Sequence, residues 1–302
     1  MLENYMETLE NCRFCLMCRH VAPVGLVTDL ETLTPHGIAL IATSQQRGLI
    51  DWDEETIGVI YSEPDGGNCR AHCVFDQPHP EAVAALRANL VQQNLAPAAV
   101  YETGQALAEW ETPFAAQKAA PAAGQGDVAL FVGDEAQYLW PDVLPAVQKL
   151  LNSIGLDPVL IGNGRNNGLL ATSLGFPETA ANLVQATLAE LQDCGAQKLL
   201  VLSPGDYFTF KQAIDERLGM TLPPDVELLE LVSLLAEAMD AGNLRFKKGD
   251  QSGAYAYVDP THAVRHPARH TAARQLAAAV MQEAPRELFF SGERAHPVGS
   301  TH

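Results

Sequence analysis

Cysteines stand at positions 12, 15 and 18, and the run continues through His20 and Ala22 to Pro23. Three of the four thiols of a C-x2-C-x2-C-x3-C-P pattern are therefore present, with alanine in the fourth slot. No other feature constrains the fold as much, because thiolates at this spacing wrap one loop around an iron–sulfur cluster. Where two such runs occur together, the fourth cysteine of each crosses over to the other cluster. A second segment, Cys69-Arg-Ala-His-Cys73, fits the same frame with Glu63, Gly66, Cys69 and Cys73 at the four ligand positions. Its crossing residue, Cys73, is intact. Cys12, Cys15, Cys18 and Cys73 thus form one complete set of four thiols, whereas Glu63, Gly66, Cys69 and Ala22 form a set with only one. One [4Fe-4S] cluster on Cys12, Cys15, Cys18 and Cys73 is expected, with Cys69 as the alternative fourth ligand if its loop folds differently. A tetrahedral zinc site, which also uses C-x2-C pairs, is the competing use of the same cysteines. The strict double x2 spacing and the proline after the fourth slot favour iron–sulfur.

The remaining composition narrows the function classes. The chain has 302 residues, enough for two or three domains, and an ordinary 47% hydrophobic content. No apolar stretch approaches the about 18 residues that a membrane span needs. The start, Met-Leu-Glu-Asn-Tyr, lacks the basic and then apolar pattern of a secretory leader. The sixth cysteine, Cys194, has no sequence partner, and unpaired thiols suit a reducing compartment, so a cytoplasmic location is expected. A net charge of −18 argues against nucleic acid as a partner, since a phosphate backbone rewards clustered Lys and Arg.

Along the chain the hydrophobic period changes once. Residues 1–110 carry helical signals: Thr34-Pro35 opens a segment running to Gly48 with Ile38, Leu40 and Ile41 on one face, and residues 80–95 read as an amphipathic helix. Residues 111–126 are rich in Ala, Pro, Gly and Gln without apolar periodicity, which predicts a linker. Strand and helix patterns then alternate. Strands are expected at 127–133, 156–162 and 198–203, with helices at 141–154, 178–193 and 207–218. A further unit follows, with short strands at 226–229, 255–258 and 287–290 and helices at 231–241 and 266–283. The expectation is an α+β multidomain chain: a helical domain over 1–110, then two α/β units, 127–222 and 223–302, with mostly parallel sheets.

A double cysteine run, a linker and two α/β units together resemble the D subunit of heterodisulfide reductase and the iron–sulfur subunits of glycolate oxidase and anaerobic glycerol-3-phosphate dehydrogenase. The resemblance covers nearly the whole chain. It implies a helical ferredoxin-like domain, to which Cys12 to Cys73 and the intervening Thr34-Pro35-His36-Gly37 correspond, followed by two cysteine-rich "CCG" domains. In those two domains the cysteines are missing here. The family's Cys-Cys-Gly falls on Asn166-Asn167-Gly168, an upstream Gly-Cys on Gly133-Asp134, and a cysteine pair on Ser203 and Asp206. The family's His-Asp-Pro-Cys becomes Val258-Asp259-Pro260-Thr261, followed by His262 and Arg265. A Pro-Arg-Glu-Leu segment matches Pro285-Arg286-Glu287-Leu288, and the last Cys-Cys-Gly becomes His296-Pro297-Val298-Gly299. Without thiolates these domains hold no cluster of their own, so heterodisulfide reduction is not carried over.

Two further groupings are weaker. His262, His266 and His270 recur at four-residue spacing, but Pro267 interrupts and no acidic or thiol ligand lies nearby. Gly162-Asn163-Gly164-Arg165-Asn166-Asn167-Gly168 departs by one residue from the dinucleotide fingerprint and reads as a structural turn. The resemblance implies an electron-transfer subunit without catalytic residues of its own. Its partner would be a flavoprotein dehydrogenase, with electron-transferring flavoprotein or a quinone-linked protein as acceptor. The competing class is a non-redox assembly subunit whose cysteines bind zinc or nothing.

Overall fold

The computed structural model describes residues 2–120, 124–250, 253–265 and 267–296. Part of the expected linker, His266 and residues 297–299 lie outside them. The chain opens with seven helices: α1 (Met6–Cys12), α2 (Pro23–Thr28), α3 (Pro35–Gln46), α4 (Glu54–Tyr61), α5 (Asn68–Ala71), α6 (His79–Gln92) and α7 (Ala98–Trp110). Pro35 occupies the first turn of α3, where its missing N–H costs nothing, and the Thr34 hydroxyl accepts the Gly37 N–H at 3.3 Å. Gly37 is needed for close approach, since a Cβ there would lie 2.5 Å from the Thr32 Cα. Leu9, Ile38, Ile60, Leu86 and Leu90, from α1, α3, α4 and α6, meet in one apolar core. Residues 98–110 lacked a clear start signal. They form α7, which buries Leu107 against Ala171, Ala180 and Leu183 of the following part.

That part is a four-stranded, all-parallel sheet of order β2-β1-β3-β4, with β1 (Val128–Val132), β2 (Val159–Asn163), β3 (Lys198–Val201) and β4 (Glu227–Glu230). The connections are helical: α8 (Val143–Ser153), α9 (Leu169–Leu174), α10 (Pro177–Asp193), α11 (Pro204–Phe208), α12 (Ile214–Leu218), α13 (Leu231–Asp240) and, after the sheet, α14 (Pro267–Val280). Strand side chains alternate between two cores. Ala129, Phe131 and Leu199 pack under α10, while Leu130 and Leu200 pack with Val147 and Leu151 of α8 and Leu235 of α13. A sheet covered on both faces explains the near-continuous apolar runs in its strands. Among the described residues no helix is long and apolar enough to cross a membrane.

The expected second sheet is not formed among the described residues. The strand assigned to its start, β4, pairs with β3 instead, which places Leu228 in one core of the first sheet and Leu229 in the other. Residues 255–258 and 287–290 do not form strands. Ala256 instead makes a single parallel bridge to Arg286, just before the second of these segments, because Ala256 and Val258 face solvent and no second apolar layer rewards further pairing. The linker is also more tied down than its composition suggests. Thr112 is buried and donates to Asp134 at 3.2 Å, and the Gly126 N–H reaches the Cys194 carbonyl at 3.1 Å.

Buried arginines join the helical part to the sheet part. Arg217 of α12 holds Asp65 in a two-pronged ion pair, with both N–O distances 2.7 Å and side-chain exposures of 4% and 3%. Arg87 of α6 donates to the carbonyls of Ile60, Glu63 and Ser173 at 2.7–3.1 Å. Gly175, at φ 101°, lets the end of α9 approach α6, where a Cβ would lie 2.6 Å from the Arg87 carbonyl carbon. Removing one partner of a buried pair strands the other charge. Arg217→Met is therefore expected to lower the unfolding free energy by about 3–5 kcal/mol in urea denaturation, while Arg47→Met, which breaks an exposed pair with Glu10, leaves it essentially unchanged.

Candidate functional site

The structure brings the two cysteine runs together. Cys12 ends α1, Cys15 follows in a turn closed by its own N–H to the Cys12 carbonyl at 3.1 Å, and Cys18 lies in the 3-10 turn Met17–Val21. Cys73 comes two residues after α5. With Cys69 these four line one cavity of about 330 Å³, walled further by Pro35, His36, Phe75 and His79. Burial, then the neighbouring Cys18, Cys73 and Cys15, pushes the Cys12 thiol up to about 12. Burial and then Cys15 push Cys18 up to about 11. The thiols thus crowd one another's charge in a partly dry site, an arrangement that a positively charged metal centre relieves by drawing them into the thiolate form. The Gln77 N–H points at the Cys73 sulfur at 3.5 Å, the type of hydrogen bond that tunes a ligating sulfur.

Beside this cavity lies a much smaller one. Ala22, Glu63, Gly66 and Cys69, the four positions of the degenerate set, also come together, but the void among them is about 20 Å³, room for about one water molecule. Val21, Pro23 and Ile38 fill the remaining space. Burial, then Asp65, pushes the Glu63 carboxyl up to about 7, so the residue in that first ligand position is a poor anion at neutral pH. Cys69 lies between the two voids and lines both. The geometry therefore distinguishes the two ligand sets by volume as well as by thiol count.

Among the described residues no group of three His, Cys, Asp or Glu side chains is placed to hold a single metal ion. The five cysteines line the wall of the cavity. His79, which the sequence reading did not single out, is buried in this wall with no hydrogen-bond partner on either ring nitrogen among the described residues, and burial lowers it to about 4, hence neutral. Its only sequence signal was its place just before Pro80 at a helix start.

A second cavity, of about 400 Å³, opens at the carboxyl ends of the strands. Asp134 after β1, Asn166 and Asn167 after β2, Ser203 and Asp206 after β3, and Thr261 from the C-terminal segment meet there. Asp134 accepts from Thr112 at 3.2 Å and Asn166 at 3.1 Å, and Asp206 from Ser203 and Asn167 at 2.8 Å. Burial pushes Asp134 up to about 6 and also raises Asp206. The glycine-rich segment after β2 is a turn locked by Arg165, which pairs with Glu111 at 2.8 Å and Glu190 at 2.9 Å. Of the expected histidine series, His262 stacks on Phe208 and the His270 Nε2 donates to the Ala263 carbonyl at 2.8 Å, so those two are engaged separately.

Comparisons with protein-family models, with curated proteins and with solved structures found no match to this chain. The thiol environment makes its own prediction. Burial and the neighbouring thiols keep the Cys12 thiol protonated at pH 8, so iodoacetamide should modify Cys12 far more slowly in the native than in the urea-unfolded chain. Mass spectrometry of timed digests measures this, and raising the pH toward 10 should speed the native reaction.

Proposed function

We propose that the chain is an iron–sulfur electron-transfer subunit of a flavoprotein dehydrogenase complex, with one [4Fe-4S] cluster held by Cys12, Cys15, Cys18 and Cys73. The observation that carries this reading is the contrast between the two cysteine-run voids: the set with four thiols surrounds about 330 Å³, and the set with one thiol is filled to about 20 Å³. When bound, such a cluster supplies a one-electron donor and acceptor.

The chain's own residues supply the setting. Phe75, Pro35 and Met17 line the cavity with apolar surface, and the Gln77 N–H directs a dipole at the Cys73 sulfur; both features act on reduction potential. Phe14, Met17, Val74 and Phe75 are exposed on the two cysteine loops, with Phe14 at 75% and Phe75 at 72%. An apolar rim of this kind is where a partner would dock to bring its own redox centre within reach. The resemblance of the cysteine frame and the α/β order to the glycolate-oxidase type of iron–sulfur subunit points to a flavoprotein as that partner, with electron-transferring flavoprotein or a quinone-linked protein as acceptor.

Anaerobically purified protein should contain about four irons and matching sulfide per chain, with an EPR signal after dithionite reduction. Cys73→Ala should lose the cluster, whereas Cys69→Ala should keep it. Zinc without sulfide would support the assembly-subunit reading instead, and the reverse pattern in the two variants would move the fourth ligand to Cys69.

A further inference from the structure

The cavity at the carboxyl edge of the sheet lies apart from the cysteine site. The chain runs from β1 outward to β2 and then returns to β3 on the other side of β1. The loops after β1 and β3 therefore diverge in opposite directions, and the crevice between them is the place where open parallel sheets take up small ligands. Gly133 to Glu135 and Ser203 to Asp206 form its two lips, and Thr261 and His262 cover it. At about 400 Å³ it is of small-molecule size.

Its chemistry selects among ligand classes. Asp134, Glu135 and Asp206 share the crevice, and among the described residues no Lys or Arg lies within ion-pair distance of any of them. The one arginine in the lining, Arg269, is engaged by Glu230 at 2.9 Å and by the Tyr257 hydroxyl at 3.2 Å. Anionic ligands are thus disfavoured. Among the described residues no group of three His, Cys, Asp or Glu side chains is placed to hold a single metal ion there. The Asp134 and Asp206 carboxylates are held by neutral donors, whereas the Glu135 carboxylate accepts no hydrogen bond among the described residues and sits at the mouth. Partial burial of its carboxyl, then Asp206 and Asp134, pushes it up to about 7, and an arriving positive charge would favour its ionised form. Trp140, 62% exposed, and Phe114 add aromatic surface to the same cavity, suited to the body of such a ligand and to its charge.

We infer that this crevice is a binding site for a small organic cation, a protonated amine on an apolar body, with the ammonium beside Glu135 and the apolar part against Trp140. The site is independent of any metal on the cysteines. Calorimetric titration of the full-length chain with benzylammonium tests it, with benzyl alcohol and benzoate as neutral and anionic counterparts of the same shape. Benzylammonium should bind at least about tenfold more tightly than either, as a charged hydrogen bond at a partly dry site requires. Glu135→Gln, at an exposed position without structural partners, should weaken benzylammonium by about tenfold and leave benzyl alcohol unchanged. Trp140→Ala should weaken both amine and alcohol. Equal affinity for the alcohol, no binding of benzylammonium, or an unchanged affinity in Glu135→Gln would each overturn the assignment.

Discussion

The buried pair between Arg217 and Asp65 holds the rest of the arrangement in place. Asp65 sits at a left-handed turn, φ 51°, in the segment that leads into the second cysteine run. Arg217 comes from the last helix before β4. Four residues beyond Asp65 lies Cys69, and next to it Arg70, which reaches Glu216 at 2.7 Å, Glu81 at 3.3 Å and Asp76 at 2.9 Å. The segment bearing Cys69 and Cys73 is thereby clamped between α6 and α12, while Cys12 rides on the end of α1, whose Leu9 is fixed in the helical core. A loop with little apolar content of its own is positioned by charge pairing in a dry seam, where such pairs tolerate no loss of a partner.

The clamp serves both cysteine-run sites, and their side chains make them differ. Both sets of four positions are brought together by the same crossing of segments, as pseudo-symmetric runs require. One remains a ring of thiols around a void. The other, with Ala22 and Gly66 in place of thiols, is packed shut by Val21, Pro23 and Ile38. An empty hole lined by small residues forfeits contact on every side, so a site that has lost its ligands is more stable when neighbours fill it. Cys69, between the two, is the remaining thiol of the filled set.

The sheet part shows the other outcome. Its carboxyl edge carries the hydroxyl, amide and carboxylate groups of Ser203, Asn166, Asn167, Asp134 and Asp206, and the space between them stays open. Asp134 and Asp206 are satisfied by neutral donors from three different segments. A network of this kind orders the loops, but it leaves negative charge facing a cavity, and this separates the crevice chemically from the thiol site.

The cysteine spacing by itself grouped Cys12, Cys15, Cys18 and Cys73, with Cys69 as the alternative, and the tertiary structure brings all five to the wall of one cavity. Apolar periodicity by itself located the first three strands and many of the helices, since burial on both sheet faces demands continuous apolar runs. The fourth strand was legible as a strand but not in its partner: Leu228 and Leu229 satisfy any parallel neighbour, and only the open edge of β3, with a core on each face, decided where they went. Thr112 read as linker because a single threonine carries no periodic signal, yet a buried carboxylate at Asp134 holds it in place. The volumes of the two cysteine voids, the seam at Arg217 and the convergence at the sheet edge belong to the tertiary structure alone. Each depends on side chains more than 40 residues apart meeting in a low-dielectric interior, and pairing of that range leaves no local pattern in the chain.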